Sequence, residues 1–210
     1  MQTFDLATLA AAECYKLLGG LVIPRPIALV TSRSRAGLVN AAPFSFFNVM
    51  AEEPPLVVLG VGITAAGGAK DTTVNIRETG EFVVNLVDEP LAEQMNLAAV
   101  DFPPEVSEVE VAGLELVPSA RVAPGRIVAS PVHLECRRFV TLQAGPERWV
   151  ILGEVLLIHV RDGLVDPATL RTSAAHEPIG RLFGAGYVRT RDRFDLARMT
   201  YAEWRQKRGG

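Results

Sequence analysis

The sequence predicts a mainly-β barrel with a few peripheral helices, and three observations carry that prediction. Its apolar runs are short, of strand length, and are separated by Gly and Pro turn signals. Only a few segments have helical spacing between cap residues. No GxGxxG lies between a strand and a helix, so a doubly wound parallel sheet fits worse.

Taken in order, Asp5 is placed to cap a first helix over residues 1–20, with Leu6, Leu9, Leu17 and Leu18 on its apolar face and Gly19-Gly20 ending it. From Pro24 to Asn48 the chain reads as a hairpin. Ile27 to Val30 form an apolar strand ending at Thr31 and Ser32, and a basic turn spans Arg33 to Gly37. A second run then passes from Leu38 through Asn40, Pro43 and Ser45 to Phe47. Pro54-Pro55 introduces a third strand over 56–61, followed by a glycine-bearing loop to residue 69. A helix over 72–79, capped by Asp71 or Thr72, closes at Gly80; a strand over 81–87 and a helix over 90–100 come next. Residues 101–124, rich in Pro and Glu, read as an exposed excursion marked by Glu105, Glu108 and Glu110, with a short strand near 114–117. Strands at 126–129, 132–142 and 149–160 complete the series, the last two forming a hairpin across Ala144-Gly145-Pro146. In the last strand Val150, Leu152, Leu156, Ile158 and Val160 share one face, and Ile151, Val155 and Leu157 the other. One face lines the core, and the other needs a helix or a second subunit to cover it.

At 210 residues, 49% apolar and 21% charged, the chain is expected to be one soluble domain over 1–210, with a C-terminal tail at 188–210. A net charge of −3 gives no phosphate-tracking surface, so no nucleic-acid partner is expected. No apolar run reaches bilayer-spanning length and the start lacks a basic leader, so the expectation is a cytoplasmic protein without a membrane partner. Cys14 and Cys136 make no disulfide framework, and His133, His159 and His176 form no ligand-spaced pair, so no metal is expected. His133 and His159 lie within strands and read as structural.

Three patches could carry chemistry. The central hairpin holds Thr31, Ser32, Asn40, Ala41, Ala42, Ser45 and Asn48 in or beside buried positions; such groups need partners, from nearby backbone or from a polar ligand, and the cluster favours a ligand. Lys70-Asp71-Thr72-Thr73 stands at a helix start, where unpaired N–H groups, the helix dipole and an ammonium suit a phosphate monoester; a plain cap beside a solvated lysine is the alternative. Arg181 to Tyr187 (RLFGAGY) either lets the backbone approach a flat ligand closely or turns into a last edge strand.

Together these patches resemble the flavin reductase-like family with the FMN-binding split β-barrel, in its flavoredoxin branch. The matching segments are PRPIALVTS (24–32), NAAPFSFFN (40–48), KDTTVNI (70–76), EFVVN (81–85), SPVHLEC (130–136), LGEV (152–155) and RLFGAGY (181–187). The resemblance implies a homodimer of Greek-key split barrels with FMN near the subunit interface and NADH or NADPH as electron donor. It implies Ser45 and Phe46 beside the flavin, Thr31 and Ser32 toward the ribityl and phosphate side, and Asn40 and Ala41 facing the rings. Lys70 and Thr72 would hold the phosphate, and Arg181 and Tyr187 would close the pocket. Ala185 between Gly184 and Gly186 departs from the paired glycines of relatives. The chemistry implied is flavin reduction, with no dedicated acid or base. The other readings are a non-enzymatic FMN electron carrier, a barrel for another flat phosphorylated cofactor, and a cofactor-free interaction module.

Overall fold

A computed structural model describes residues 1–146 and 148–208. Its main element is a seven-stranded antiparallel sheet. The strands are β2 (Ala28–Arg33), β3 (Val39–Phe44), β4 (Phe47–Glu52), β5 (Pro55–Val61), β6 (Glu81–Leu86), β9 (Val132–Gly145) and β10 (Arg148–Val160), arranged β3-β2-β6-β9-β10-β5-β4. Its two edge strands, β3 and β4, are consecutive in the chain and joined only by Ser45-Phe46. Three Cα steps span at most about 11 Å, so the sheet curls until its edges meet at that end. The result is a barrel split along one seam. The β9–β10 hairpin is inserted between β5 and β6, which follow one another in sequence, and this is a Greek-key crossing. Outside the barrel, β1 (Arg25–Pro26) pairs with β11 (Ile179–Arg181), which pairs with β12 (Tyr187–Arg189); β7 (Leu116–Val117) pairs with β8 (Arg126–Ile127).

The unbroken apolar run of β2 follows from burial on both faces. Ala28 and Val30 face the barrel interior with Phe44, Phe47, Leu59, Phe82 and Ile151. Ile27 and Leu29 face an outer core with Leu91, Met95 and Val109. Helix α2 (Asp71–Thr79) adds Ile76 to the inner core, while α3 (Ala92–Leu97) and α4 (Glu108–Val111) cover the outer one. Buried Glu135 on β9 accepts from the N–H groups of Ala120 (2.9 Å) and Arg121 (2.6 Å) and pairs with His159 Nε2 at 2.6 Å, tying down the long 118–126 loop. Burial alone would raise this carboxyl; the Ala120 N–H, His159 and the Arg121 N–H outweigh it and hold it below the usual range. His133 Nε2 lies 2.8 Å from the Ile127 carbonyl, so both strand histidines have structural partners.

Several expected boundaries shift. Asp5 caps only a 3₁₀ turn, Leu6–Thr8, by accepting from Ala7 N at 3.0 Å; α1 (Ala11–Leu21) starts after it. That helix runs through Gly19 and Gly20, where the Phe183 ring would lie 3.5 Å from a Cβ on Gly20. The run through Phe47 is two strands, broken at Ser45-Phe46. Neither Asp71 nor Thr72 caps α2: the N-cap is Lys70 without a side-chain bond, although Gly80 ends the helix at φ 78° as expected. The 90–100 helix shortens to a 3₁₀ turn, Glu89–Leu91, and α3. Glu108, read as exposed, is buried. Strand β10 does not keep strict alternation: its register against β9 shifts three times, the third at Leu156, an extra residue between Val155 and Leu157. The tail beyond β12 ends in α5 (Tyr201–Arg208).

Candidate functional site

The split seam is where the chain's polar and aromatic groups converge. Three cavities share Pro43 and Phe44 and so line up along the end of β3. The first lies over the start of α2 and is lined by Asn40, Lys70, Asp71, Thr72, Asp101 and Glu108. The second is bounded by Tyr15, Ser45, Met95, Arg181 and Tyr187. The third holds Tyr15, Ser45, Phe46, Gly60, Arg148 and Trp149.

At the first cavity, the N–H groups of Asp71 and Thr72 have no acceptor within their helix because they open it. The Thr72 hydroxyl donates to Asn40 Oδ1 at 2.9 Å, and Asn40 Nδ2 donates to Glu108 Oε2 at 2.9 Å, which fixes the Asn40 amide. The neighbouring Thr73 Oγ1 is buried without a partner. Lys70 Nζ pairs with Asp101 Oδ1 at 2.7 Å. That bond, with the Ala65 N–H, holds the Asp101 carboxyl below the usual range. Burial pushes Asp71 up, against the pull of Lys70, and burial likewise raises Glu108. The cavity thus presents helix-start donors and one ammonium ringed by carboxylates, two of which favour their neutral form more than usual.

The other two cavities are flatter and more aromatic. The Phe46 ring, 45% exposed as a residue, stands 6.0 Å from Tyr15. The Arg181 guanidinium lies 4.6 Å from the centre of the Tyr187 ring and donates to the Gly184 carbonyl. Gly60 is required beneath Phe46: a Cβ there would stand 3.0 Å from the Phe46 Cβ.

Of the ten residues singled out in the sequence, Asn40, Lys70 and Thr72 meet at the first cavity. Arg181 and Tyr187 meet at the second, Phe46 lines the third, and Ser45 lines both of these. Thr31, Ser32 and Ala41 line none of the three. The Thr31 hydroxyl donates to the Gly125 carbonyl at 2.6 Å, Ser32 Oγ accepts from Asn75 Nδ2 at 3.1 Å, and Ala41 lies in the outer core with its N–H 3.4 Å from Glu108. Sequence reasoning missed Tyr15, Asp101, Glu108 and Trp149. Each is a lone residue in an ordinary local context, brought to the seam by the fold. Among the described residues no His, Cys, Asp and Glu cluster is arranged for a metal ion, and no helix is long and apolar enough to cross a membrane.

The chain belongs to the flavin reductase-like family: residues 19–174 match the flavin reductase like domain. A protein of Deinococcus radiodurans is 43% identical to it, over 97% of this chain and 92% of its own. Among solved structures, the 2-nitrobenzoate 2-nitroreductase NbaA of Pseudomonas fluorescens is 40% identical with a TM-score of 0.88, covering 95% of this chain and 98% of that one. Component B of nitrilotriacetate monooxygenase from Bacillus cereus is 34% identical, also at TM-score 0.88, covering 93% and 98%. The fold is the split barrel of flavin reductases, and the chain is a flavin-related oxidoreductase. The seam suits such a cofactor: helix-start donors with Lys70 at one end, and flat aromatic walls at the other.

Proposed function

We propose that the chain binds FMN along the seam and acts as an NAD(P)H-dependent flavin reductase, working as a homodimer. What supports this most is the continuity of the cleft: phosphate-type donors, a polar joint at Ser45 and aromatic walls follow one another along Asn40 to Phe46. Lys70 and the N–H groups of Asp71 and Thr72 would hold the phosphate. Asn40, fixed by Thr72 and Glu108, would orient what lies next to them, with Ser32 supporting this wall from behind. Phe46 and Tyr15 would exclude water from one face, while Arg181 and Tyr187 close the far end. FMN, when bound, supplies the hydride and electron transfer. The protein needs only to bind, orient and shield it, so no residue is assigned as acid or base. Phe139, Leu142 and Ile158 leave apolar surface exposed on the β9–β10 hairpin, which a second copy would cover.

Calorimetry with FMN and FAD tests this reading. Micromolar or tighter FMN binding and a yellow protein are expected; no heat and no melting shift with either flavin would overturn it. The kinship with NbaA favours a second reading of the acceptor, in which electrons go to a nitroaromatic acid rather than to free flavin.

A further inference from the structure

Arg25 carries a charge that no ion pair among the described residues neutralises. The residue is only 6% exposed. Its partners are neutral acceptors. Nη1 donates to the Gly19 carbonyl and to the Val22 carbonyl (3.0 Å), Nη2 to the Leu182 carbonyl (3.1 Å), and Nε to Ser45 Oγ (3.3 Å). Gly19 and Val22 lie at the C-terminal end of α1, the negative end of that helix, which accommodates a cation but does not cancel its charge. A buried charge left without a counter-ion is costly, and capping a helix does not require one in this place.

The bond to Ser45 lies outside any capping role. Ser45 is half of the two-residue joint that closes the barrel, and it lines both aromatic cavities. A serine hydroxyl has one hydrogen and two lone pairs. Ser45 Oγ accepts from Arg25, and no acceptor among the described residues takes its own hydrogen, which is left for whatever fills the cleft. A donor that is itself bonded to a cation is polarised, and it strengthens further as its acceptor gains negative charge. The Arg25 guanidinium also lies 5.9 Å from the centre of the Phe46 ring, so its field reaches the same wall.

We infer that Arg25 is a positioning residue that makes Ser45 a donor selective for the electron-rich, reduced form of a bound flavin. This rests on the FMN reading above. On reduction by two electrons and one proton the flavin ring system becomes an anion, and the unbalanced cation behind Ser45 meets its counter-ion only then. Oxidised flavin is neutral at the ring and gains less. The difference raises the midpoint potential of the bound cofactor, which a purely structural clamp would not do.

The test is the midpoint potential of bound FMN, by dye equilibration under anaerobic conditions, alongside calorimetry of oxidised FMN. The variants are Arg25→Met, Arg25→Lys, Ser45→Ala and the double variant Arg25→Met with Ser45→Ala. In Arg25→Met and in Ser45→Ala the reduced-to-oxidised affinity ratio is expected to fall at least tenfold, about 30 mV for a two-electron couple. Arg25→Lys should keep most of the parent value, and the double variant should fall no further than either single one, because the two groups act in series. If Arg25→Met does not fold, Ser45→Ala alone decides the matter. A potential unmoved in Ser45→Ala, or effects that simply add in the double variant, would overturn the inference while leaving FMN binding intact. A parent protein that takes up no flavin would overturn the reading beneath it as well.

Discussion

Lys70 Nζ stands 2.7 Å from Asp101 Oδ1, so the one ammonium at the start of α2 is already held by a carboxylate from the far side of the cavity. Both side chains keep a substantial exposed fraction, and the pair can open at modest cost. A phosphate arriving at the helix start would therefore share Lys70 with Asp101 or displace it.

Opposite effects are expected from the two partners. Lys70→Ala should weaken FMN binding about tenfold, roughly 1.4 kcal/mol, and Asp101→Asn should strengthen it, because the competing carboxylate is gone. Riboflavin, which lacks the phosphate, should bind equally well to parent and variants. Calorimetry with both ligands decides it: equal losses for FMN and riboflavin in Lys70→Ala would mean damage to the fold instead of a lost phosphate contact.

Glu108 supplies a pH dependence. Its burial, reinforced by Asp71, outweighs the bonds from the Ala41 N–H and the Asn40 amide, and its carboxyl titrates above the ordinary 4.5. A folded-state pKa above the unfolded one means that the folded protein binds the extra proton. The resulting stability is fully present below about 4.5 and is lost as pH rises through the folded value. Glu108→Gln keeps an acceptor for Asn40 without a charge. Its melting temperature relative to the parent should therefore rise between pH 4.5 and 7; a difference that stays flat across that range would contradict the assignment.

Gly153 on β10 faces the Phe82 ring, which is fully buried in the barrel. A Cβ on Gly153 would run into Phe82 Cζ and stand 2.9 Å from its Cε1. Gly153→Ala should cost about 2–3 kcal/mol, lowering the melting temperature by roughly 4–12 °C. Adding Phe82→Leu should recover part of that loss. Thermal unfolding of the single and double variants measures it, and a Gly153→Ala protein as stable as the parent would show that the ring can move aside.

The barrel was legible in the sequence where period and punctuation agreed. The Ala28–Arg33 and Val39–Phe44 hairpin, the Gly80 helix stop and the β9–β10 hairpin all carry local signals. The break at Ser45-Phe46 was not legible, because Phe46 and Phe47 are alike in composition while one lines the cleft and the other the core. Nor was Glu108: a glutamate in a Pro- and Glu-rich stretch looks solvated, and its burial depends on Asn40, 68 positions away. Lys70 and Thr72 stood out because a helix start is a local feature; Asp101, which pairs with Lys70, is fixed only by the fold.

The two-residue joint between β3 and β4 also acts as a spacer of fixed phase. Phe46 is held over β5 by its own carbonyl, which accepts from the Gly60 N–H at 2.7 Å, and the next residue, Phe47, turns into the barrel. Side chains along a strand alternate with period two, so lengthening the joint by one residue would bring Phe46 to the interior and Phe47 to the cleft, and would invert every position of β4 after them. Chemical substitution at Ser45 or Phe46 changes what the cleft offers, whereas a change in number there exchanges inside for outside. Sequence length at this joint is therefore under stricter constraint than sequence identity, and a single deletion would disturb core and cleft at the same stroke.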